Sequence, residues 1–381
     1  MKSSRWLLAA ALTAVVSLAV IGCSDDDSPT GGGDVPLEFV GSAKCGECHA
    51  EKYSDWKESG HPYKLTKIEN GQAPQYPHSA VPNPPDGYTW NDISYVIGGY
   101  GWKARFMRSD GYIITGDGVQ YNLGRADIGA PEAQWVGYET SLDKKPYTCG
   151  TCHTTGWESL DENGGVHQDG LEGIHGTWYE TGITCEACHG MGSQHANRPS
   201  KTNINIDRNA SACGNCHFRD TNHGILASGG FIKHHEQFDE MISAGHVALN
   251  CVDCHDPHKG TRYELGGLIA DCEDCHAGEA ANMKHNGAPD CKDCHMGRAS
   301  KSARFVNAYR GDIQTHIMKI NTDPVGKDAM FYEEGGSTFS HGFITLDFAC
   351  YGCHKDESGV GGSYSQKTLA ELSTFAKGMH D

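Results

Sequence analysis

The chain has 381 residues, a formal net charge of −18 and only modest hydrophobicity, with 38% apolar residues. An acidic excess of this size excludes a nucleic-acid binder, which needs a basic surface to neutralise phosphates; it suits basic protein partners or cations, and equally simple solubility. Forty-nine glycines and fourteen prolines punctuate the sequence, so long regular elements are not expected.

In chain order, residues 1–22 read as a signal peptide, with Lys2 and Arg5 ahead of an apolar run from Trp6 to Ile21 that is short for a membrane span. The run ends in Val20-Ile21-Gly22-Cys23, which is similar to the lipobox of bacterial lipoproteins and implies lipidation at Cys23. Residues 23–37 are small, acidic and glycine-rich, a flexible tether. Ser24 then favours an outer-membrane anchor, facing periplasm or cell surface. The remaining domain spans 38–381. Ala50 to Ser59 is expected to be helical. Short aromatic and β-branched runs at Ile93–Ile97, Lys103–Arg108 and Tyr112–Thr115, with a Ser109-Asp110-Gly111 turn, predict a β-hairpin insert at about 88–125. Phe231 to Leu249 sets His234, Phe238, Met241, Ile242 and Gly245 on one helical face, and Leu369, Leu372, Phe375 and Ala376 mark a C-terminal amphipathic helix. The fold expected is mainly α with low regular secondary structure.

Eight copies of Cys-x-x-Cys-His use sixteen of the seventeen cysteines. Numbered along the chain, motifs 1 to 8 are Cys45, Cys48, His49; Cys149, Cys152, His153; Cys185, Cys188, His189; Cys213, Cys216, His217; Cys251, Cys254, His255; Cys272, Cys275, His276; Cys291, Cys294, His295; and Cys350, Cys353, His354. This spacing is the c-type haem attachment pattern. The two thiols lie one turn apart to form thioethers with the porphyrin vinyl groups, and the histidine is the proximal iron ligand. A zinc ribbon or a disulfide framework gives no reason for a histidine after every second cysteine. Eight haem c groups in so short a chain make the macrocycles much of the core, with neighbours close together.

The second axial ligand decides between electron transfer and chemistry at the iron. Fourteen further histidines are present: His61, His78, His167, His175, His195, His223, His234, His235, His246, His258, His285, His316, His341 and His380. They suffice to cap every iron.

Val40-Gly41-Ser42-Ala43-Lys44-Cys45 with Asp55-Trp56-Lys57-Glu58-Ser59-Gly60-His61, and Gly182-Ile183-Thr184-Cys185 through His195, resemble segments of the cytochrome c-554 type multihaem family, with Met191 where that pattern usually has proline. His235-Glu236-Gln237 to His246 with Cys251 to His258, and His285 ahead of Cys291 to Met296, are similar to multihaem cytochromes of metal-respiring bacteria. The resemblance implies distal ligands at His61, His175, His195, His234, His246, His285, His316 and His341, with His235 competing with His234 and His258 with His246. It implies an octahaem electron conduit in the cell envelope, exchanging electrons with other cytochromes or an outer-membrane porin-cytochrome conduit. The alternative is an octahaem oxidoreductase of nitrite, hydroxylamine or tetrathionate with one open haem. Nitrite-reducing relatives usually carry a Cys-x-x-Cys-Lys motif, which is absent here, and are longer. Self-assembly into an oligomer or filament is a third reading.

Overall fold

Strands form where β-branched and aromatic residues cluster, and there are more of them than the sequence suggested. The computed structural model describes residues 35–381 except Ala288; the signal segment, Cys23 and nearly all of the tether lie outside the described residues. The protein is 25% helical and 22% strand, which corrects the expectation of a mainly α fold.

The first sheet is antiparallel. It contains β1 (Leu65–Lys67), β2 (Ile93–Gly98), β3 (Lys103–Arg108), β4 (Gly116–Asn122) and β5 (Gln134–Tyr138), in the order β1-β2-β3-β4-β5. Alternate residues face opposite sides. Leu65, Tyr95, Ile97 and Met107 pack with Tyr147, Ile174 and Trp178 in one cluster, while Val96, Ala104, Phe106 and Val119 form another. The β2–β3 turn needs Gly98: its φ is +77°, and a Cβ there would lie 2.6 Å from the Lys103 carbonyl. Tyr112–Thr115, expected as a strand, makes only single bridges through Ile113 to Met107 and Lys145.

Two short ladders follow, β6 (Thr154–Thr155) with β9 (Glu180–Thr181) and β7 (Glu158–Ser159) with β8 (Gly176–Thr177). The second large sheet comprises β10 (Ile225–Ser228), β11 (Phe231–Lys233), β12 (Ser300–Asn307), β13 (Arg310–Ile313), β14 (Phe331–Glu334) and β15 (Ser337–Ser340). Its order is β13-β12-β11-β10-β15-β14, with β11 and β12 parallel. Phe231, Ile232, Ile317, Met330, Ile344 and Phe348 fill its core.

The continuous helix expected over 231–249 is therefore absent. Gly229 and Gly230, both at positive φ, reverse the chain and pair Ile232 with Ala227, so residues 231–233 are strand. His235 sits at φ +70°, and helix resumes only over Gln237–Ile242. Other helices are also short. Ala50–Glu58 is nine residues long, and Leu369–Ala376 is held by a Thr368/Glu371 capping box. Among the described residues no helix is long and apolar enough to cross a membrane.

The two large sheets are tied through β12. Lys103 Nζ donates to the Ser302 carbonyl at 2.6 Å, and Asn122 Nδ2 to that of Ala303 at 3.0 Å. The carboxylate of Asp312 accepts from the backbone N–H groups of Ser302, Ala303 and Arg304 at 2.6–2.9 Å, fixing the irregular start of that strand.

Candidate haem centres

Each motif is a local event. In motifs 1, 4, 5, 6 and 8 the first cysteine carbonyl accepts the N–H of the histidine four residues on at 2.9 Å, a single α-helical turn. Capping boxes Asn250/Asp253, Asp271/Asp274 and Asp290/Asp293 open motifs 5, 6 and 7. None of the sixteen motif cysteines is in a disulfide. Among the described residues no three His, Cys, Asp or Glu side chains converge on one metal position.

The motifs are contiguous in space. The Cys216 thiol of motif 4 donates to the Thr151 carbonyl of motif 2 at 3.8 Å, the helices of motifs 1 and 3 pack together, and the motif 4 helix packs on the motif 5 turn. The charges of Cys213, Cys275, Cys291 and Cys294 are near enough to raise Cys188, Cys254, Cys272 and Cys350 respectively, and the helices of motifs 7 and 8 pack together. Motif 4 is the branch point: motif 2 adjoins it, motifs 3 and 1 extend one way, and motifs 5, 6, 7 and 8 continue the other.

Histidine rings face one another at a recurring separation. The pairs are His49–His195 at 6.1 Å, His189–His258 at 6.2 Å, His217–His235 at 5.9 Å and His255–His316 at 6.2 Å between ring centres. His276–His246 at 6.0 Å, His295–His380 at 6.0 Å and His354–His285 at 6.2 Å complete the set. Two metal–nitrogen bonds of about 2 Å, each with about 1 Å from nitrogen to ring centre, would place two such rings roughly 6 Å apart. The gap therefore fits an iron between each pair. Many rings are also anchored through Nδ1, which leaves Nε2 for a metal. His189 Nδ1 meets the Asn205 carbonyl at 2.6 Å, His295 that of Met318 at 2.8 Å, and His380 that of Glu279 at 3.0 Å. Paired thiols one turn apart with an anchored histidine thus fit haem c.

Motif 2 differs. His153 is anchored like the others, its Nδ1 lying 2.9 Å from the Lys64 carbonyl. His234 is its histidine neighbour, and the charges of Lys64, Arg105 and Arg219 gather around it. Burial pushes the His153 imidazole down to about 4, with Lys64, Arg105 and Arg219 adding to the shift. Burial likewise pushes His234 well below its usual value, and Lys103, Arg219, Arg105 and His153 itself reinforce that. Burial alone lowers Lys64 to about 8, and burial foremost lowers Lys103 to about 7. Lys103 and Arg105 share one face of β3 by their spacing. The Arg105 guanidinium lies 3.6 Å from the Tyr138 ring centre, and its Nε donates to Gln120 Oε1 at 2.7 Å. Cations thus gather most densely around the motif 2 histidine.

Of the distal candidates, the structure sets His195, His246, His285 and His316 opposite motif histidines. His61, His175, His234 and His341 are not so placed. His61 is held near 3 by burial, with Lys64, His217 and His258 nearby. His175 faces His167, which belongs to no motif, and His234 packs on His235. His341 is sandwiched between Tyr332 and Phe343 at 4.6 and 5.5 Å. Three facing histidines, His235, His258 and His380, were not among the eight selected. The first two were rivals that local sequence could not rank, and the penultimate His380 carries no sequence signal.

Parts of the chain are similar to known proteins. The family model for cytochrome c554 and c-prime matches residues 44–86 and 131–190. The dissimilatory sulfite reductase MccA of Wolinella succinogenes is 24% identical over 262 residues, which is 63% of this chain and 33% of that protein; the match spans a third of the curated relative's length. The solved octahaem sulfite reductase MccA of the same organism has a similar fold. Its TM-score is 0.57 at 17% identity, over 91% of this chain and 68% of that one. The outer cell wall cytochrome OcwA gives a TM-score of 0.49 at 16% identity, over 88% and 86%.

Proposed function

We propose that this chain is a multihaem c-type cytochrome that transfers electrons, and that it holds eight haem c groups, seven capped by histidine pairs and one open at His153. The observation that carries this reading is the gathering of Lys64, Lys103, Arg105 and Arg219 around His153 and His234, beside seven facing pairs at the other motifs. Bound haem c supplies a redox-active iron at every motif and, where one face is open, a place for a small molecule to be reduced. The chain supplies the rest. Cysteine pairs fix each ring plane, paired histidines close both faces of seven sites, and the Lys64 carbonyl orients His153. Lys64, Lys103, Arg105 and Arg219 draw an anion into a protein that is otherwise strongly acidic, and orient its oxygens.

The substrate class this favours is a small sulfur or nitrogen oxyanion, with sulfite first because the related MccA is a sulfite reductase. A pure conduit would need all eight irons capped, and the His153 environment weighs against it. Electrons would come from other redox proteins, and Cys23 would anchor the holoprotein by lipid to the outer membrane. Dye-linked turnover tests the catalytic part: the holoprotein should oxidise a reduced viologen with sulfite, nitrite, hydroxylamine or tetrathionate. Silence with all four would leave an electron carrier only. With the active compound, Arg105→Met should lower kcat/KM by about tenfold, the loss of one charge-assisted contact of roughly 1.5 kcal/mol.

A further inference from the structure

The seven facing histidine pairs are not alike in orientation. At motifs 1 and 3 the two imidazole planes are nearly parallel, 19° and 9° apart. At motifs 4, 6 and 8 they are steeply crossed, at 74°, 82° and 62°. The difference has an electronic consequence. Each imidazole donates through its π system into the iron d orbital that lies perpendicular to the ring plane. Parallel rings act on the same d orbital and split it from its partner, which stabilises the ferric hole. Crossed rings divide their effect between the two orbitals, so the ferric form gains less and the iron is easier to reduce.

Position gives this sorting a purpose. The crossed pair of motif 4 is the neighbour of the open motif 2, for the Cys216 thiol donates to the Thr151 carbonyl at 3.8 Å. The motif 4 helix also packs on the motif 5 turn, and its Cys213 lies near enough to raise Cys188 of motif 3. Motif 1 reaches the rest through motif 3, for their helices pack together.

We propose that motif 4 is the junction from which the open centre is filled, and that motifs 3 and 1 form a side limb of lower potential that stores reducing equivalents. The proposal rests on the reading that the facing histidines are axial ligands. Each transfer moves one electron, oxidising the donor iron and reducing the acceptor, with no bond made or broken. A reduced partner protein supplies the electrons in the cell, and dithionite can do so in the cuvette. Such a limb fills last and discharges first. When the open centre has emptied motif 4, the side limb refills it downhill, which serves a reduction needing several electrons in succession.

Electron paramagnetic resonance during a potentiometric titration of the holoprotein reads this directly. Oxidised protein should show two kinds of low-spin ferric signal: rhombic three-line spectra from the parallel pairs, and strongly anisotropic signals with one large g value from the crossed pairs. On stepwise reduction the anisotropic signals should vanish at higher potential than the rhombic ones. His258→Met should remove one rhombic component and leave the anisotropic signals in place. Should that variant fail to mature, His195→Met makes the same test at motif 1. A single kind of low-spin signal, or rhombic signals vanishing first, would overturn the side limb while leaving axial ligation standing. High-spin iron in most centres would take down both.

Discussion

His234 and His235 are adjacent in sequence, yet their rings have different surroundings. His235 faces the motif 4 histidine, whereas His234 lies among the cations near His153. Replacing each by alanine separates the roles. His235→Ala should convert one low-spin iron to high spin. His234→Ala should leave the low-spin count unchanged and affect turnover alone. Magnetic circular dichroism of the two variants checks this, and equal loss of low-spin iron in both would refute the assignment. A second residue with a defined task is Glu186, which is 4% exposed. Its carboxylate accepts N–H groups from Val40 at 3.0 Å, Gly41 at 2.8 Å and Gly192 at 2.7 Å, pinning the start of the domain beside motif 3. Bonds of this kind to a buried charge are worth roughly 1.5–3 kcal/mol when one partner is lost. Glu186→Ala should therefore destabilise the holoprotein by about that much, seen as a lowered thermal midpoint; an unchanged midpoint would show the contacts to be idle.

At the scale of elements, the motifs were legible because thioether chemistry imposes a fixed local spacing. The first sheet was legible too at β2 and β3, where apolar and aromatic residues cluster between turn residues. The second large sheet was not. Its strands are three to eight residues long, and the parallel pairing of Ile232 with Ser300 joins segments with no shared local signal. The helical period read across 231–249 arose because histidines and apolar residues fell at helical spacing, while the Gly229-Gly230 turn overrode it. Distal histidines were half-hidden for the same reason. His195 follows motif 3 closely yet faces His49 of motif 1, a long-range match that spacing cannot express. The motif 2 turn offers a test at this scale. A Cβ on Gly150 would run into the Trp157 ring, which stacks on Trp178 at 6.2 Å. Gly150→Ala must push that indole aside, at about 1–3 kcal/mol for an overpacked site. Its effect should centre on motif 2, altering the high-spin spectrum before the low-spin one; a uniform loss of all haem would contradict this.

Over the whole molecule, charge and connectivity combine. The sheets and the loop at residue 262 meet at Asp127. It accepts both nitrogens of the Arg125 fork at 2.8 Å and contacts Arg262 at 3.2 and 3.3 Å, while Arg125 reaches the Asp312 carbonyl at 3.0 Å. Hydrogen bonds from Arg125, followed by the charges of Arg125 and Arg262, hold the Asp127 carboxyl far below its ordinary range. Because the folded value is depressed, this clamp stabilises fully above the unfolded carboxylate range and is lost as pH falls through and below it. Asp127 is partly exposed, so solvent screening reduces the contribution to about 1 kcal/mol. Asp127→Asn should lower stability at neutral pH and flatten the acid limb of a denaturation profile; a parallel shift at every pH would argue against the clamp. The acidic surface gives a further expectation. Electron exchange with a basic partner should slow as salt rises from 0.01 to 0.15 M, as the Debye length contracts from about 30 to about 8 Å. An electron-transfer rate indifferent to salt in stopped-flow measurements would remove steering from the account.

One measurement bears most directly on the whole reading: a quantitative count of iron spin states in the oxidised, ligand-free holoprotein by magnetic circular dichroism, normalised to haem content. Seven low-spin bis-histidine centres for each high-spin centre are expected, the high-spin one shifting on addition of sulfite. Eight low-spin centres, or two or more high-spin ones, would contradict the account.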